Sequence, residues 1–191
     1  MSREDRSFWK FVKFAIILII LYFICLIIML SLISCVKVDD DNDYIQWSYN
    51  RNLKISDFVL VDKLPNDVSA SSCTGILMVI VDSVPYGYQA VAVFDRSKSR
   101  WSRKVKNSSV ILAHEQLHFD ITQYITQELN QEMRYCMCPR ESAKMYYQYQ
   151  IKLDSMQKLY DFETNSSRND SAQQQWNIKL FRLLRKDIAI R

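Results

Sequence analysis

Glycine and proline are scarce in this sequence, with only two glycines and three prolines among 191 residues. Glycine favours turns because it adopts left-handed conformations easily, and proline interrupts helices because it lacks a backbone N–H. Their scarcity argues against a chain of many tight turns and favours a helix-rich one. Aromatic residues make up 13% of the chain, which is enough to build the core of one domain.

A strong excess of positive charge is also lacking. The formal net charge is +4, and residues 1–34 hold four Lys/Arg against two Asp/Glu, so half of the excess belongs to that segment. A nucleic-acid-binding domain concentrates its basic residues on one face. We therefore predict no nucleic-acid partner.

Histidine is also scarce. The sequence contains only two histidines, and both lie in the HExxH sequence His114-Glu115-Gln116-Leu117-His118. Residues four apart share one face of a helix, so two imidazoles in this pattern can bind one Zn²⁺ ion. The alternative is a pair of core histidines held by hydrogen bonds. We favour the metal because two imidazoles on an otherwise aliphatic helix face need partners for their polar nitrogens.

Glu115 occupies the position of a general base in this pattern. Zinc lowers the pKa of a bound water to about 7. Glu115 would take the proton as that water attacks a scissile carbonyl, and would then pass it to the leaving amine. The motif thus predicts a zinc metallopeptidase that hydrolyses peptide bonds in a peptide or protein substrate.

The N-terminus contains a run of twenty uncharged residues, 14–33, which is long enough to cross a membrane as a helix. Basic residues precede it and acidic residues follow it, so the positive-inside rule places the N-terminus in the cytoplasm and the rest outside. Leu32-Ile33-Ser34-Cys35 also resembles a bacterial lipobox, which would make Cys35 a lipidated first residue. Either version tethers the protein to a membrane, with its domain in the periplasm or at the cell surface.

Three regions follow from this reading. Residues 1–35 form a transmembrane anchor or lipoprotein signal, residues 36–43 an acidic linker, and residues 44–191 the folded domain. An oxidising compartment permits a disulfide, for which Cys73 with Cys136 or Cys138 is the favoured pairing.

The domain is predicted to be α+β, with a small β-sheet followed by the HExxH helix and two further helices. Strands are predicted at residues 44–49, 58–61, 76–81 and 88–94, and loops at 64–72 and 98–106. Helices are predicted from Ser108 to Arg134, Glu141 to Phe162 and Ser171 to Ile188. Five apolar side chains fall within about 60° of His114 on the first helix: Val110, Leu117, Ile121, Ile125 and Leu129. Leu112 and Phe119 point the other way, so this helix should be covered on two sides.

Several segments resemble a bacterial domain-of-unknown-function family of predicted secreted zinc-dependent proteases. The most specific is Leu112-Ala113-His114-Glu115-Gln116-Leu117-His118-Phe119-Asp120-Ile121, and the others are Trp47-Ser48, Ser69–Ile76, Ala92–Asp95 with Trp101, and Tyr160–Asn165 with Gln175-Trp176. The resemblance spans residues 44–181. It implies a zincin-like fold and metal-dependent peptidase chemistry.

The third zinc ligand is where the sequence departs from that family. The family's tail carries a His at the position of Ser166, and a neutral hydroxyl is a poor substitute on zinc. Glu163 is the first choice for a replacement, Glu141 the second and Asp161 the third. If none of them binds, the domain would be a catalytically degenerate relative that acts as a binding or structural protein.

Overall fold

The computed structural model describes residues 43–65, 68–80, 88–105, 108–134 and 139–186. The predicted anchor, residues 1–35, lies outside these ranges, and so do residues 36–42 of the predicted linker. Within the ranges, no helix combines the length and the apolar character that a membrane span requires. The anchor therefore stays a prediction from sequence.

Six strands precede three long helices in the described part of the chain, which confirms the predicted α+β class. The strands are β1 (Tyr44–Gln46), β2 (Val59–Val61), β3 (Ala70–Ser71), β4 (Thr74–Ile80), β5 (Tyr88–Asp95) and β6 (Arg100–Ser102), with a short 3-10 helix at Ile55–Asp57. The helices are α1 (Ser108–Met133), α2 (Pro139–Thr164) and α3 (Asp170–Lys186). The zincin-like fold stays a prediction from the resemblance.

The strands form two three-stranded sheets. The first has the order β1-β5-β4 and is antiparallel throughout, with Ile45 opposite Phe94 and Ile76 opposite Ala92. In the second, β6 lies between β2, to which it is parallel, and β3, to which it is antiparallel.

Two segments that we predicted as loops contribute strands to the second sheet. Residues 64–72 contain β3, and residues 98–106 contain β6. Both strands have three residues or fewer, which is too short for an alternating apolar pattern to show in the sequence. Trp101 is only 3% exposed and packs edge-on against Phe58, so the basic segment around it is anchored in the core.

Helix α1 is covered on two sides, as its pattern predicted. Leu117, Ile121, Ile125 and Leu129 are buried in a core shared with α2 and α3. Phe119 faces the other way, into a second core with Phe94. Val110 was predicted on the first of these faces, but it is exposed in the first turn of the helix. The central position of α1 carries its histidines into the interior of the domain.

Candidate metal centre

Two helices bring three ligand atoms together. Helix α1 presents His114 and His118, and Asp161 lies near the end of α2. Asp161 Oδ1 lies 3.1 Å from His114 Nε2 and 3.0 Å from His118 Nε2, while the two Nε2 atoms are 3.3 Å apart. Among the described residues, these three side chains form the group that could hold a metal ion.

The separations fit a small tetrahedral cation. In a zinc site with metal–ligand distances of about 2.0–2.1 Å, neighbouring ligand atoms are about 3.3 Å apart. The observed distances of 3.0–3.3 Å approach that edge length. The group can be reached from solvent, because the side chain of Asp161 is 46% exposed. Three protein ligands with one open position is the arrangement of catalytic zinc sites.

The outer nitrogen of each imidazole contacts a glutamine. His114 Nδ1 lies 3.1 Å from Gln173 Oε1, and His118 Nδ1 contacts Gln157 Oε1. An amide oxygen only accepts, so each Nδ1 donates to its glutamine, and each Nε2 faces Asp161, where it can bind a metal or, without a metal, a second proton. Two lone pairs and a carboxylate oxygen this close together repel one another unless a proton or a cation lies among them. The donor set therefore fits a divalent metal.

The charges of the site are coupled. Burial would raise the pKa of Asp161, but hydrogen bonds from His114 and His118 outweigh burial and hold that pKa well below its usual range. Burial would lower the pKa of His118, but its hydrogen bond to Asp161 and the charge of nearby Glu115 outweigh burial and raise it. The carboxylate is therefore ionised and ready to bind a cation.

Glu115, the predicted general base, is buried beside the triad. Its side chain is 4% exposed, and Oε2 accepts a hydrogen bond of 2.8 Å from the backbone N–H of Ser72. Ser72 lies between β3 and β4, so the carboxylate also links α1 to the strands. One oxygen is thereby held in place by the main chain.

The first two choices for the third ligand lie elsewhere. Helix α2 continues through Thr164, beyond its predicted end at Phe162, so Glu163 is part of the helix. Its side chain is about 200° around the helix axis from that of Asp161. Glu163 Oε2 accepts a hydrogen bond of 2.7 Å from Trp176 Nε1. Glu141 is in the first turn of the same helix, about 30 Å from Asp161 along the axis. The structure thus places Asp161, the third choice, at the histidines.

Ser166 helps to end α2 immediately after the ligand. Its N–H donates to Asp161 O at 2.9 Å, and the N–H of Asn165 donates to Phe162 O at 3.3 Å, the two bonds of a Schellman cap. Asn165, Ser166 and Ser167 have φ angles of 48°, 49° and 71°, all in the left-handed region. A side chain with a Cβ costs about 1–2 kcal/mol there.

Replacing Ser166 with glycine should therefore stabilise the protein. We expect the free energy of unfolding in urea to rise by about 0.5–1 kcal/mol, because glycine adopts the left-handed conformation without a steric cost. The matched control is Ser155→Gly in the middle of α2, which should lower the free energy of unfolding by about 0.5 kcal/mol. Equal losses in both variants would contradict the left-handed turn.

Asp120 lies on another side of α1 from His114 and His118, where it supports the fold. Its Oδ1 accepts hydrogen bonds from Trp47 Nε1 at 2.8 Å and from Gln116 Nε2 at 2.9 Å. Gln116 Oε1 in turn accepts the backbone N–H of Leu53 at 2.7 Å. This network fixes the segment after β1 against the HExxH helix.

Sequence reasoning missed Gln157, Gln173 and Tyr160. Tyr160 is fully buried and stacks on the His114 ring, with centroids 4.6 Å apart and an interplanar angle of 22°. Gln157 lies four residues before Asp161, so both face the same side of α2. That spacing was the one signal in the sequence for Gln157, and it points to the site only once Asp161 has been placed beside the histidines.

The predicted disulfide from Cys73 is absent, because Cys73 carries a free thiol. Cys136 and Cys138 lie outside the described residues.

The described part of the chain is therefore an α+β domain with a candidate metal centre of two histidines and one aspartate. No protein-family model, curated protein sequence or solved structure matches the chain. The residues of the site therefore provide the evidence for function.

Proposed function

We propose that this protein is a membrane-tethered zinc-dependent hydrolase that cleaves peptide bonds outside the cytoplasm. The observation that carries the proposal is the convergence of His114 Nε2, His118 Nε2 and Asp161 Oδ1 within 3.3 Å of one another. Ser166 had suggested an incomplete ligand set, and Asp161 supplies a third donor.

Zinc held by these three residues would activate water and polarise a carbonyl oxygen. The chain's own contribution to the chemistry is Glu115. This carboxylate follows the first ligand on α1 and can hold a proton between the attack on a carbonyl and the departure of an amine. The hydrogen bond from Ser72 fixes Oε2, so Glu115 is oriented before substrate binds.

The choice of a peptide substrate follows from the HExxH pattern, which combines two zinc ligands and a general base as metallopeptidases do. The tether and its orientation come from the uncharged run at residues 14–33 and the charges on either side of it.

The second candidate is a catalytically degenerate domain, with zinc bound weakly or not at all, that acts as a binding or structural protein. One observation favours it. The carboxylate of Glu115 bonds to the backbone of Ser72, which gives this residue a structural task that needs no catalysis.

Metal analysis and a cleavage assay separate these candidates. The full-length chain, reconstituted with zinc and freed of excess metal, should bind one zinc ion and cleave an unstructured protein such as casein. A chelator should remove both the metal and the activity, and added zinc should restore them. A chain that retains no zinc, or that binds zinc but cleaves no member of a broad peptide library, would refute the hydrolase and support the second candidate.

A further inference from the structure

Two glutamines hold the imidazole rings from behind, and we call Gln157 and Gln173 the amide clamps. His118 Nδ1 contacts Gln157 Oε1, and His114 Nδ1 lies 3.1 Å from Gln173 Oε1. Metal-binding histidines generally donate this second N–H to a carboxylate, a carbonyl or water. Here both acceptors are neutral side-chain amides.

The amide of Gln157 is locked in one orientation. Its Nε2 donates to His118 O at 2.9 Å, to Thr122 Oγ1 at 3.2 Å and to Thr74 Oγ1 at 3.3 Å. A flipped amide would lose these acceptors and would turn an NH₂ group toward the imidazole. Because Gln157 joins α2 to α1 and β4, this arrangement presents only a carbonyl oxygen to His118.

The amide of Gln173 is locked as well, although it comes from α3. Its side chain is buried at 7% exposure, and its Oε1 also accepts the phenol O–H of Tyr160 at 2.6 Å. Its Nε2 donates to Asn177 Oδ1 at 3.2 Å. The Tyr160 ring contacts both histidines, stacked on His114 and edge-on to His118. Rotation of His114 would disturb both contacts.

We propose that Gln157 and Gln173 are the positioning residues of the zinc centre. They keep each imidazole in its Nδ1–H form, with the Nε2 lone pairs directed at Asp161. They also add no negative charge to a site that already contains Asp161 and Glu115. This inference rests on the proposed zinc binding and assigns α3 a part in it, although α3 supplies no ligand.

The role predicts opposite effects for two kinds of substitution. Gln157→Met and Gln173→Met keep the length of the side chain but remove the acceptor, so each should weaken zinc binding by about 10–100-fold. Gln173→Glu keeps an acceptor and makes it more basic, and Asn177 can turn its amide to donate to the new carboxylate, so this variant should bind zinc at least as tightly as the parent. A residue needed only for packing would not show this order.

The experiment is a zinc titration of the full-length chain and its variants, with the visible absorption spectrum of the Co²⁺-loaded protein as a second readout. We expect the Met variants to show an altered Co²⁺ spectrum and Gln173→Glu to keep the parent's bands. The matched controls are Gln148→Met on α2 and Gln174→Met on α3, because both side chains are exposed. Both controls should behave as the parent does.

Each outcome has a separate meaning. If the parent binds zinc and the clamp Met variants bind it as tightly as the controls, the positioning role is wrong and the zinc proposal stands. If the parent binds no zinc, the proposed function fails together with the clamps. If the Met variants do not fold, Gln173→Glu still decides, because weaker zinc binding by the folded Gln173→Glu variant overturns the inference.

Discussion

Replacement of Asp161 by alanine should remove stoichiometric zinc, whereas the same change at Glu163 should not. Asp161 supplies the third ligand atom, 3.0–3.1 Å from both imidazole nitrogens. Loss of an outer partner costs about 10–100-fold in metal affinity, so loss of a ligand should cost more than about 100-fold. Glu163 contacts Trp176 instead, and its loss should leave zinc affinity within a few-fold of the parent. Zinc titration in a competing chelator measures both.

Unfolding in urea with the metal removed provides the control for this pair. Glu163→Ala should lose about 1 kcal/mol of stability, because it deletes one hydrogen bond to a buried indole. Glu163→Ala should lose the same free energy of unfolding with and without zinc. Asp161→Ala should lose more when zinc is present than when the metal is removed. Zinc lost from Glu163→Ala but kept by Asp161→Ala would show that the ranking inferred from sequence is correct and that this geometry is not.

Replacement of Glu115 by glutamine should abolish most peptide cleavage while zinc stays bound. General acid–base groups contribute about 10²–10⁴-fold to rate, and a neutral amide cannot accept the proton. Glutamine still accepts a hydrogen bond from the Ser72 N–H through its side-chain oxygen. The segment between β3 and β4 should therefore stay attached to α1. The measurement is kcat/KM on a cleaved peptide, with zinc content determined on the same sample.

The control is Glu132→Gln, the same change on the exposed far end of α1, which should leave both quantities unchanged. Cleavage that survives Glu115→Gln would remove Glu115 from the catalytic role. Loss of zinc from this variant would instead show that Glu115 supports the structure of the site, the role that favours the second candidate function.

Much of the architecture follows from periodicity in the sequence. The apolar pattern around His114 predicted a long helix covered on two sides, and α1 has that form because Leu117 and Phe119 enter different cores. The longer strands β4 and β5 were predicted to within a few residues. The short strands β3 and β6 were missed, since their pairing depends on partners distant in the chain rather than on a local pattern.

The third ligand was a different kind of problem. Asp161 and Glu163 are two residues apart, so sequence proximity to Ser166 could not separate them. The separation depends on where α2 ends and on how it is rotated against α1. Burial of Leu153 and Tyr160 in the shared core fixes that rotation, and the Schellman cap after Thr164 fixes the end. Neither is set by a local signal.

The sequence by itself determined the two histidines, the general-base position and the α+β order, because helical spacing and apolar periodicity are properties of neighbouring residues. Tertiary structure decided which carboxylate joins the histidines and which amides hold them. Those contacts span 39 to 59 residues and arise only when α2 and α3 pack against α1. The candidate metal centre therefore forms only when the chain has folded, because its side chains come from three different helices.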